Sequence, residues 1–593
     1  MCGQAKQPAD YQGFTPEQQQ YLANLLSQLD LSAVFSAGSP APGSQPQEVT
    51  IYGTPFEDLC KEEVAKHETH PGKLWPKMRA LAESKRMPEG IDTFMIKHHG
   101  MFNVAPAQAG YMCRMRIPAC KLRGDQLAGL ADLAENLAGG YAHVTTRGNL
   151  QVREIAPENL IKNLEALYDL GLTSKGSGAD SVRNITASPS AGFDVDELID
   201  LSPHAIALHH HILNDPDLHG IPRKFNISFD NGGRLSCVSD TNDIMLLATE
   251  LREATQSDTG LEPGVYCRLG LGGITGHLDF ARDAGVLIRP EHTVDACVAM
   301  LQVFVEHGDR TNRKKARLKY VLDQHGFDWY LEKSQEKLTA INPDAKFYAV
   351  PAKACAPRNE IDRQGHCGVQ DQKQPGLKYV GVNLPVGKLK PDQMRGLGRI
   401  AQQYGRNDIR LTVWQNLLLP YIAEADMPSV LDELKELGLT TEHSAFAAGA
   451  VACTGRMGCK YAAAHTKSHA GMLVEHLEGV FGDAMDQPLN LHLTGCAHSC
   501  AQHYIGDIGL LGASTDDGRE AYQVFLGGGS DLEQGIARHL VGPVPADEIS
   551  SFLEHIVRTY LDQREPNERF VHFTRRHSED QLRELFLPAG VAA

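Results

Sequence analysis

The feature that most constrains this chain is a repeat of itself. RIPACKLRGDQL (Arg116 to Leu127) lies on NLPVGKLKPDQM (Asn383 to Met394), a displacement of 267 positions (383 − 116). At the same displacement Thr145, Asn149 and Leu150 fall on Thr412, Asn416 and Leu417, and Leu170-Gly171-Leu172 on Leu437-Gly438-Leu439, without a gap. Chance identities do not hold register over such a length. Each copy reads as strand (Tyr111 to Ile117), helix (Asp125 to Leu137), strand (Ala142 to Thr146), strand (Leu150 to Ile155) and helix (Pro157 to Leu170), which is most of a ferredoxin-like β-α-β-β-α-β unit. A looser echo sets RLGLGG (Arg268 to Gly273) against VFLGGG (Val524 to Gly529). The expected fold class is therefore α+β: a duplicated chain whose halves each carry a ferredoxin-like unit followed by a larger mixed unit, with a cofactor between them.

The rest of the chain divides around that repeat. Thr15, Pro16 and Glu17 start a helix carrying Leu22, Leu25, Leu26 and Leu29, and the Ser-, Ala-, Pro- and Gly-rich stretch from Ser36 to Gln47 is a linker, so residues 1–50 form an appended segment. The expected units are then a wrapping segment 51–96, a first half-domain 97–175, a first cofactor-binding domain 176–345, a second half-domain 346–440 and a cluster- and cofactor-binding domain 441–593. At 593 residues there is ample chain to bury a large cofactor. No apolar run reaches the roughly 18 residues of a membrane span, and no apolar signal segment follows Lys6, so the expected address is the cytoplasm. A net charge of -17 argues against nucleic-acid or anionic-membrane binding.

Thirteen cysteines without a secretion signal point to metal or redox chemistry rather than a disulfide framework. Cys2, Cys60, Cys113, Cys120, Cys237, Cys267, Cys297, Cys355 and Cys367 lack ligand spacing and read as buried thiols. Cys453 and Cys459 are six apart, Cys496 and Cys500 four apart, the latter within TGCAHSC. Two close thiolate pairs can wrap one compact centre. Zinc ribbons favour two residues between paired cysteines, so these wider spacings favour a [4Fe–4S] cluster, with zinc as the alternative. His498, between the second pair, reads as a neighbour of the centre rather than a ligand.

This C-x5-C and C-x3-C pattern in a duplicated chain resembles the siroheme-containing nitrite and sulfite reductases, over roughly Ile96 to the C-terminus. The resemblance implies that Cys453, Cys459, Cys496 and Cys500 hold the cluster, and that Cys500 also bridges to siroheme iron. Siroheme is rich in carboxylates, which arginine pairs best. TTRGNLQVRE offers Arg147, Gln151 and Arg153 in a strand region, and RTNRKKARLKY offers Arg310, Arg313, Arg317 and Lys319, whose arginines share one face if the segment is helical. Both strings resemble the family's siroheme-contacting segments. Arg114, Arg183, Lys224 and Asn226 resemble its substrate residues, which hold an iron-bound oxyanion and pass it protons. Arg116 shares Arg114's face if the strand is regular, and would then be a second contact.

The resemblance implies an oxidoreductase that takes single electrons from a reduced ferredoxin or similar carrier. LGLGGITG and LGGGS lack the dinucleotide-binding frame. Lys224 with Asn226, and VRNITASPSAG, match the nitrite branch; sulfite-specific members usually place a second lysine where Asn226 stands. The rival readings are sulfite reduction on the same scaffold, a related enzyme of corrinoid synthesis, and a metal-stabilised interaction protein. A monomer is expected. The run His209-His210-His211 reads as an incidental polar stretch. Seating an acidic carrier on a chain of net charge -17 requires a local basic patch, which residue order alone does not locate.

Overall fold

The structure, a computed structural model, describes residues 50–252, 261–442 and 444–587. The expected N-terminal helix, the linker and Cys2 lie outside these. The chain divides into two compact units, Met1–Glu57 and Asp58–Ala593. In the first, Thr50–Ile51 pairs antiparallel with Thr54–Pro55. All that follows concerns the second, which begins with α1 (Lys61–Glu68).

The duplicated units form two five-stranded sheets. The first copy supplies β1 (Met101–Asn103), β2 (Tyr111–Arg114), β3 (Lys121–Arg123), α2 (Gly124–Leu137), β4 (Ala142–Val144), β5 (Leu150–Ile155) and α3 (Leu160–Asp169). The second supplies counterparts of these, which are numbered after the intervening domain. That domain contains β6 (Thr186–Ala187), α4 (Ser202–Asn214), β7 (Ile227–Asp230), β8 (Ile244–Leu251), β9 (Gly264–Leu271), β10 (Arg282–Ile288), α5 (Thr293–His307), α6 (Leu318–His325) and β11 (Tyr348–Ala349). Then come β12 (Gly368–Asp371), β13 (Leu377–Val382), β14 (Lys388–Leu389), α7 (Pro391–Tyr404), β15 (Asp408–Leu411), β16 (Leu417–Ala423) and α8 (Met427–Glu436).

The copies are interlocked. The first sheet runs β14-β4-β5-β2-β1 and the second β12-β13-β16-β15-β3, so each copy lends one short strand to the other. The lent strands are repeat counterparts, and each follows a residue in left-handed conformation, Ala119 (φ 56°) or Val386 (φ 44°). A non-glycine residue there costs ~1–2 kcal/mol; matched strain in both copies marks the bend that sends each strand across. One core unites the copies, with Leu127 and Leu130 of α2 in the same cluster as Leu397 and Ile400 of α7. Gly124 and Gly398 allow the close approach of these helices, since a Cβ on either would lie 2.5 Å from the other's carbonyl oxygen.

The two larger domains repeat a second pattern. β6, β7 and β8 are parallel, and β9, β10 and β11 then add antiparallel. The last domain contains β17 (Ala450–Ala452), α9 (Thr466–Phe481), β18 (Leu491–Thr494), β19 (Ile508–Ser514), β20 (Glu520–Leu526) and β21 (Arg538–Pro545), again three parallel strands followed by antiparallel ones. The glycine echo sits at the ends of β9 and β20, one residue out of the expected register. Gly272 and Gly527, not Gly528, are the counterparts, each donating its N–H to the carbonyl of an aspartate (Asp243 and Asp507) at 2.9 Å. No helix among the described residues is long and apolar enough to cross a membrane.

Candidate active site

Neighbouring parallel strands bring the two cysteine pairs together, since β17 leads into Cys453 and β18 into Cys496 and Cys500. The loops are stitched by Ala463 N–H to Gly495 O (2.8 Å) and by Gly495 N–H to Cys453 Sγ (3.2 Å). Arg153 fastens the Cys459 loop by donating to Gly458 O and to Thr454 Oγ1 (3.3 Å). Burial pushes the Cys500 thiol up to about 11; the neighbouring Cys453 and Cys496 add to the rise, while Lys224 and Arg114 oppose it. Cys459 and Cys453 act on Cys496 in the same way. The four thiols are thus electrostatic neighbours, yet among the described residues no three His, Cys, Asp or Glu side chains converge on one ion. Thiolates around a tetrahedral zinc must converge, whereas a polynuclear cluster holds its ligands apart. His498 Nδ1 lies 3.3 Å from Cys496 Sγ, beside the thiol.

Around Cys500 stands a group of cations that the protein leaves without carboxylate partners. Arg114 ends β2, Arg147 sits in the β4–β5 turn, and Arg183 and Lys224 approach from the strands of the middle domain; all four are half-buried. Among the described residues none of them forms an ion pair, although Asp and Glu outnumber Lys and Arg by 74 to 57. Desolvation and mutual repulsion lower their proton affinities: Arg147 to about 10, through burial and then Arg317, and Arg183 and Lys224 well below their ordinary values. Thr146 Oγ1 donates to Cys500 O (3.0 Å), tying the Arg147 turn to the last cysteine. Arg147 Nη1 donates to Asn242 Oδ1 (2.8 Å), and Asn226, its carbonyl oxygen turned inward, accepts from Arg147 Nη2 (3.1 Å) and Arg317 Nη2 (3.3 Å). Desolvated cations without counter-charge are costly, and an anionic ligand removes that cost.

Comparisons with known proteins agree with this geometry. Residues 178–341 and 448–589 match the nitrite and sulphite reductase 4Fe-4S domain, and residues 105–170 and 370–437 the nitrite/sulfite reductase ferredoxin-like half domain. The chain belongs to the nitrite and sulfite reductase family. A ferredoxin–nitrite reductase of Synechococcus elongatus is 31% identical over 79% of this chain and 90% of its own. A sulfite reductase [ferredoxin] of Mycolicibacterium paratuberculosis is 30% identical over 81% of this chain and 85% of its own. The solved structure of Mycobacterium tuberculosis NirA protein superposes with a TM-score of 0.78 at 26% identity, covering 88% of this chain and 98% of that one. Members of the family use siroheme and a [4Fe–4S] cluster. The unpaired cations suit a polycarboxylate, and the spaced thiols suit a cluster.

In this reductase the basic residues expected from sequence separate into two groups. The stretch from Arg310 to Arg317 is a loop rather than the expected helix, and α6 begins only at Leu318. The cause is local: Asp309 Oδ1 captures Thr311 N–H (2.7 Å) and Asn312 N–H (3.0 Å), while Asn312 Oδ1 captures Lys314 N–H (3.1 Å). The side chains then reach separate carboxylates: Arg310 to Glu63 (2.6 Å), Arg313 to Asp180 (2.6 Å), Arg317 to Asp243 (2.7 Å) and Lys319 to Asp279 (2.7 Å). Gln151 and Arg153 are buried in β5 and bonded to each other at 3.2 Å. Arg116 is not a second pocket contact. β2 ends at Arg114, and Arg116 turns into the interior to donate to Val182 O (2.5 Å) and His209 Nδ1 (3.1 Å), so His209 has a structural partner on α4. Cys113, Cys120, Cys237, Cys267, Cys297 and Cys367 are buried as expected, whereas Cys60 and Cys355 are half-buried.

Sequence reasoning missed Lys97, Asn242 and Asp243. Lys97 is half-buried, without a carboxylate partner among the described residues, and its proton affinity is lowered by burial and by Lys460, Arg183, Arg313 and Arg114. Its setting in IKHHG carries no motif. Asp243 underlies the pocket, accepting from Arg317 and from Asn226 N–H (2.8 Å).

Proposed function

We propose that this chain reduces nitrite to ammonia with single electrons from a ferredoxin-type carrier, and does so in the cytoplasm as a monomer. The observation that carries the reading is the unpaired group Arg114, Arg147, Arg183 and Lys224 around Cys500, with the neutral Asn226 among them. Cys453, Cys459, Cys496 and Cys500 would hold the cluster, with Cys500 also reaching the siroheme iron. Arg147 and Lys97 would meet siroheme carboxylates directly. Arg153 and Gln151 would act by bracing the cluster loop, and Arg310, Arg313, Arg317 and Lys319 by fixing the walls of the site.

When bound, siroheme and the cluster supply electrons one at a time to an anion on the iron. The chain's own residues do the rest. Arg114 and Arg183 neutralise the anion's oxygens, as preorganised donors do where charge develops. Lys224, whose ammonium is destabilised by burial and by Arg317, is a ready proton donor to a departing oxygen. Nitrite consumes six electrons and eight protons to give ammonium and two waters, so a donor that reloads from solvent is required.

Sulfite is the second reading, favoured by the sulfite reductases among the relatives. Sulfite carries more charge near neutral pH and gains more from each added cation. Asn226 offers an amide at the decisive position. Steady-state kcat/KM for both anions with one chemical reductant at one pH tests the proposal; nitrite should be the better substrate, and a preference for sulfite would reject the nitrite assignment.

A further inference from the structure

Met457 is the most exposed large apolar side chain among the described residues, at 66%, and Tyr461 is 58% exposed. Both flank Cys459. Their exposure does not reflect a slack loop. Arg456 N–H bonds Ala464 O (2.9 Å), Gly458 N–H bonds Gly455 O (3.2 Å), Ala462 N–H bonds Cys459 O (3.1 Å), and Arg153 grips Gly458 O from beneath. A Cβ at Gly458 would lie 2.5 Å from Arg153 Nη2, so the residue between Met457 and Cys459 is held tightly from below. The loop is a stiff platform that holds two large side chains in solvent.

The patch continues onto the second cysteine loop. The Tyr461 ring lies 5.3 Å from the ring of His498, which is exposed beside Ala497, and the Lys460 ammonium stands 5.5 Å over Tyr461. Lys460 has no carboxylate partner among the described residues. Arg456 shares its one partner, Glu520 (3.1 Å), with His465 (2.6 Å). On a chain of net charge -17 this is a basic rim around an apolar centre, placed directly over a cluster cysteine.

We infer that Met457 and Tyr461, with Lys460 and Arg456 at the rim, are the docking surface for an acidic one-electron carrier protein. The inference rests on the reading of the site as a carrier-fed reductase and locates where that carrier sits. A small apolar centre with an oppositely charged rim suits a transient partner: weak redox encounters bury less than about 1,200 Å², and tyrosine and methionine are enriched at interface cores. The rim steers an acidic partner despite the repulsion of the whole chain. The platform places the carrier next to Cys459, on the opposite side of the thiol group from the Arg114–Lys224 pocket in function if not in sequence, so electrons and anion need not compete for one entrance.

The test uses the cofactor-loaded enzyme with a plant-type [2Fe–2S] ferredoxin as probe and reduced methyl viologen as the small-molecule control. Met457→Asp and Tyr461→Asp, both surface positions, should each raise the KM for ferredoxin at least tenfold, while turnover with methyl viologen stays within twofold. Titration of ferredoxin onto the same proteins should weaken in parallel, with or without nitrite present. Unchanged ferredoxin KM and affinity in both variants would overturn the docking surface. So would an equal loss with methyl viologen, which assigns the residues to the cluster's packing, or a change in sedimentation, which assigns the patch to a second copy of the chain. A wild type that binds ferredoxin through this patch yet turns over no nitrite would reject the proposed substrate and leave the surface standing.

Discussion

Arg147 and Trp414 occupy the same place in the two copies of the duplicated unit, and most of the functional asymmetry of the molecule follows from that difference. At the 267-residue displacement, Arg114 becomes Gly381, Gln151 becomes Leu418 and Arg153 becomes Pro420. The frame around them is unchanged. Thr145 N–H bonds Asn149 O at 2.9 Å, as Thr412 N–H bonds Asn416 O at 2.9 Å, and Gln126 and Gln393 each accept the N–H that precedes their helix at 3.0 Å. The larger domains repeat the contrast. Asn226 N–H bonds Asp243 and Asn490 N–H bonds Asp507, both at 2.8 Å, but the cavity beside Asn490 is lined by Trp414, Arg363, Arg569, Asp531 and Glu533. There Arg363 pairs with Asp507 and Arg569 with Glu533 (2.7 Å). One copy keeps desolvated cations for an outside anion, and the other neutralises its own. Scaffold and chemistry are separately adjustable, because backbone hydrogen bonds and core packing define the first and a few side chains the second.

The sharpest way to break this comparison is to exchange the defining residues. Arg147→Trp should abolish siroheme binding and lower nitrite turnover at least a hundredfold, equivalent to ~2.7 kcal/mol. Trp414→Arg should leave haem content at one per chain, since the carboxylates of the second cavity remain. Haem quantified against protein decides, and a gain of haem in Trp414→Arg would falsify the account of the closed copy.

A second contrast separates paired from unpaired cations. Arg313→Ala leaves Asp180, fully buried, with only Lys66 (3.3 Å) and Arg223 (3.4 Å), and should cost about 2–3 kcal/mol of stability, towards the low end for a broken buried pair because Arg313 is partly exposed. Arg147→Ala should leave the cofactor-free protein within about 1 kcal/mol of wild type while haem occupancy falls. Denaturant melts of cofactor-free protein beside haem assays should show the two variants moving opposite observables; similar melts would erase the distinction.

Asn226→Lys probes the pocket at finer scale. The added ammonium should shift the ratio of kcat/KM toward sulfite by about tenfold, or ~1.4 kcal/mol, at some cost in absolute rate because it faces Arg147 and Arg317. Lys224→Ala should impair both anions. A ratio that does not move removes Asn226 from the specificity argument.

The smallest effect is expected at the junction of the two cavities, where Asp240 accepts from Asp531 N–H at 2.7 Å. Burial, and then the Asp531 carboxylate, raise Asp240 to about 8. The folded protein therefore holds this proton to higher pH than the unfolded chain does. The associated stability is complete below the unfolded carboxylate range and is lost as pH rises through about 8. Wild-type Tm should fall between pH 6 and pH 9, and Asp240→Asn should flatten that fall; parallel curves would place the carboxyl's proton elsewhere.

Local order in the sequence was enough for the elements and the thiols. Leu150 to Ile155 was legible as a strand from its apolar character, the two copies from a displacement needing no gap, and the ligand cysteines from their spacing, because these depend on residues a few positions apart. The strand exchange, the one-residue slip of the glycine echo, the inward turn of Arg116 and the loop at Arg310 to Arg317 were decided by tertiary structure. A helical spacing of arginines cannot reveal that Asp309 and Asn312 will capture the backbone N–H groups first. Nor can it reveal that Glu63, Asp180 and Asp243, up to 247 positions away, will take their charges. Whether a cation is free to meet a cofactor depends on which carboxylates the fold brings within reach, and that is a property of long-range packing that composition and spacing do not contain.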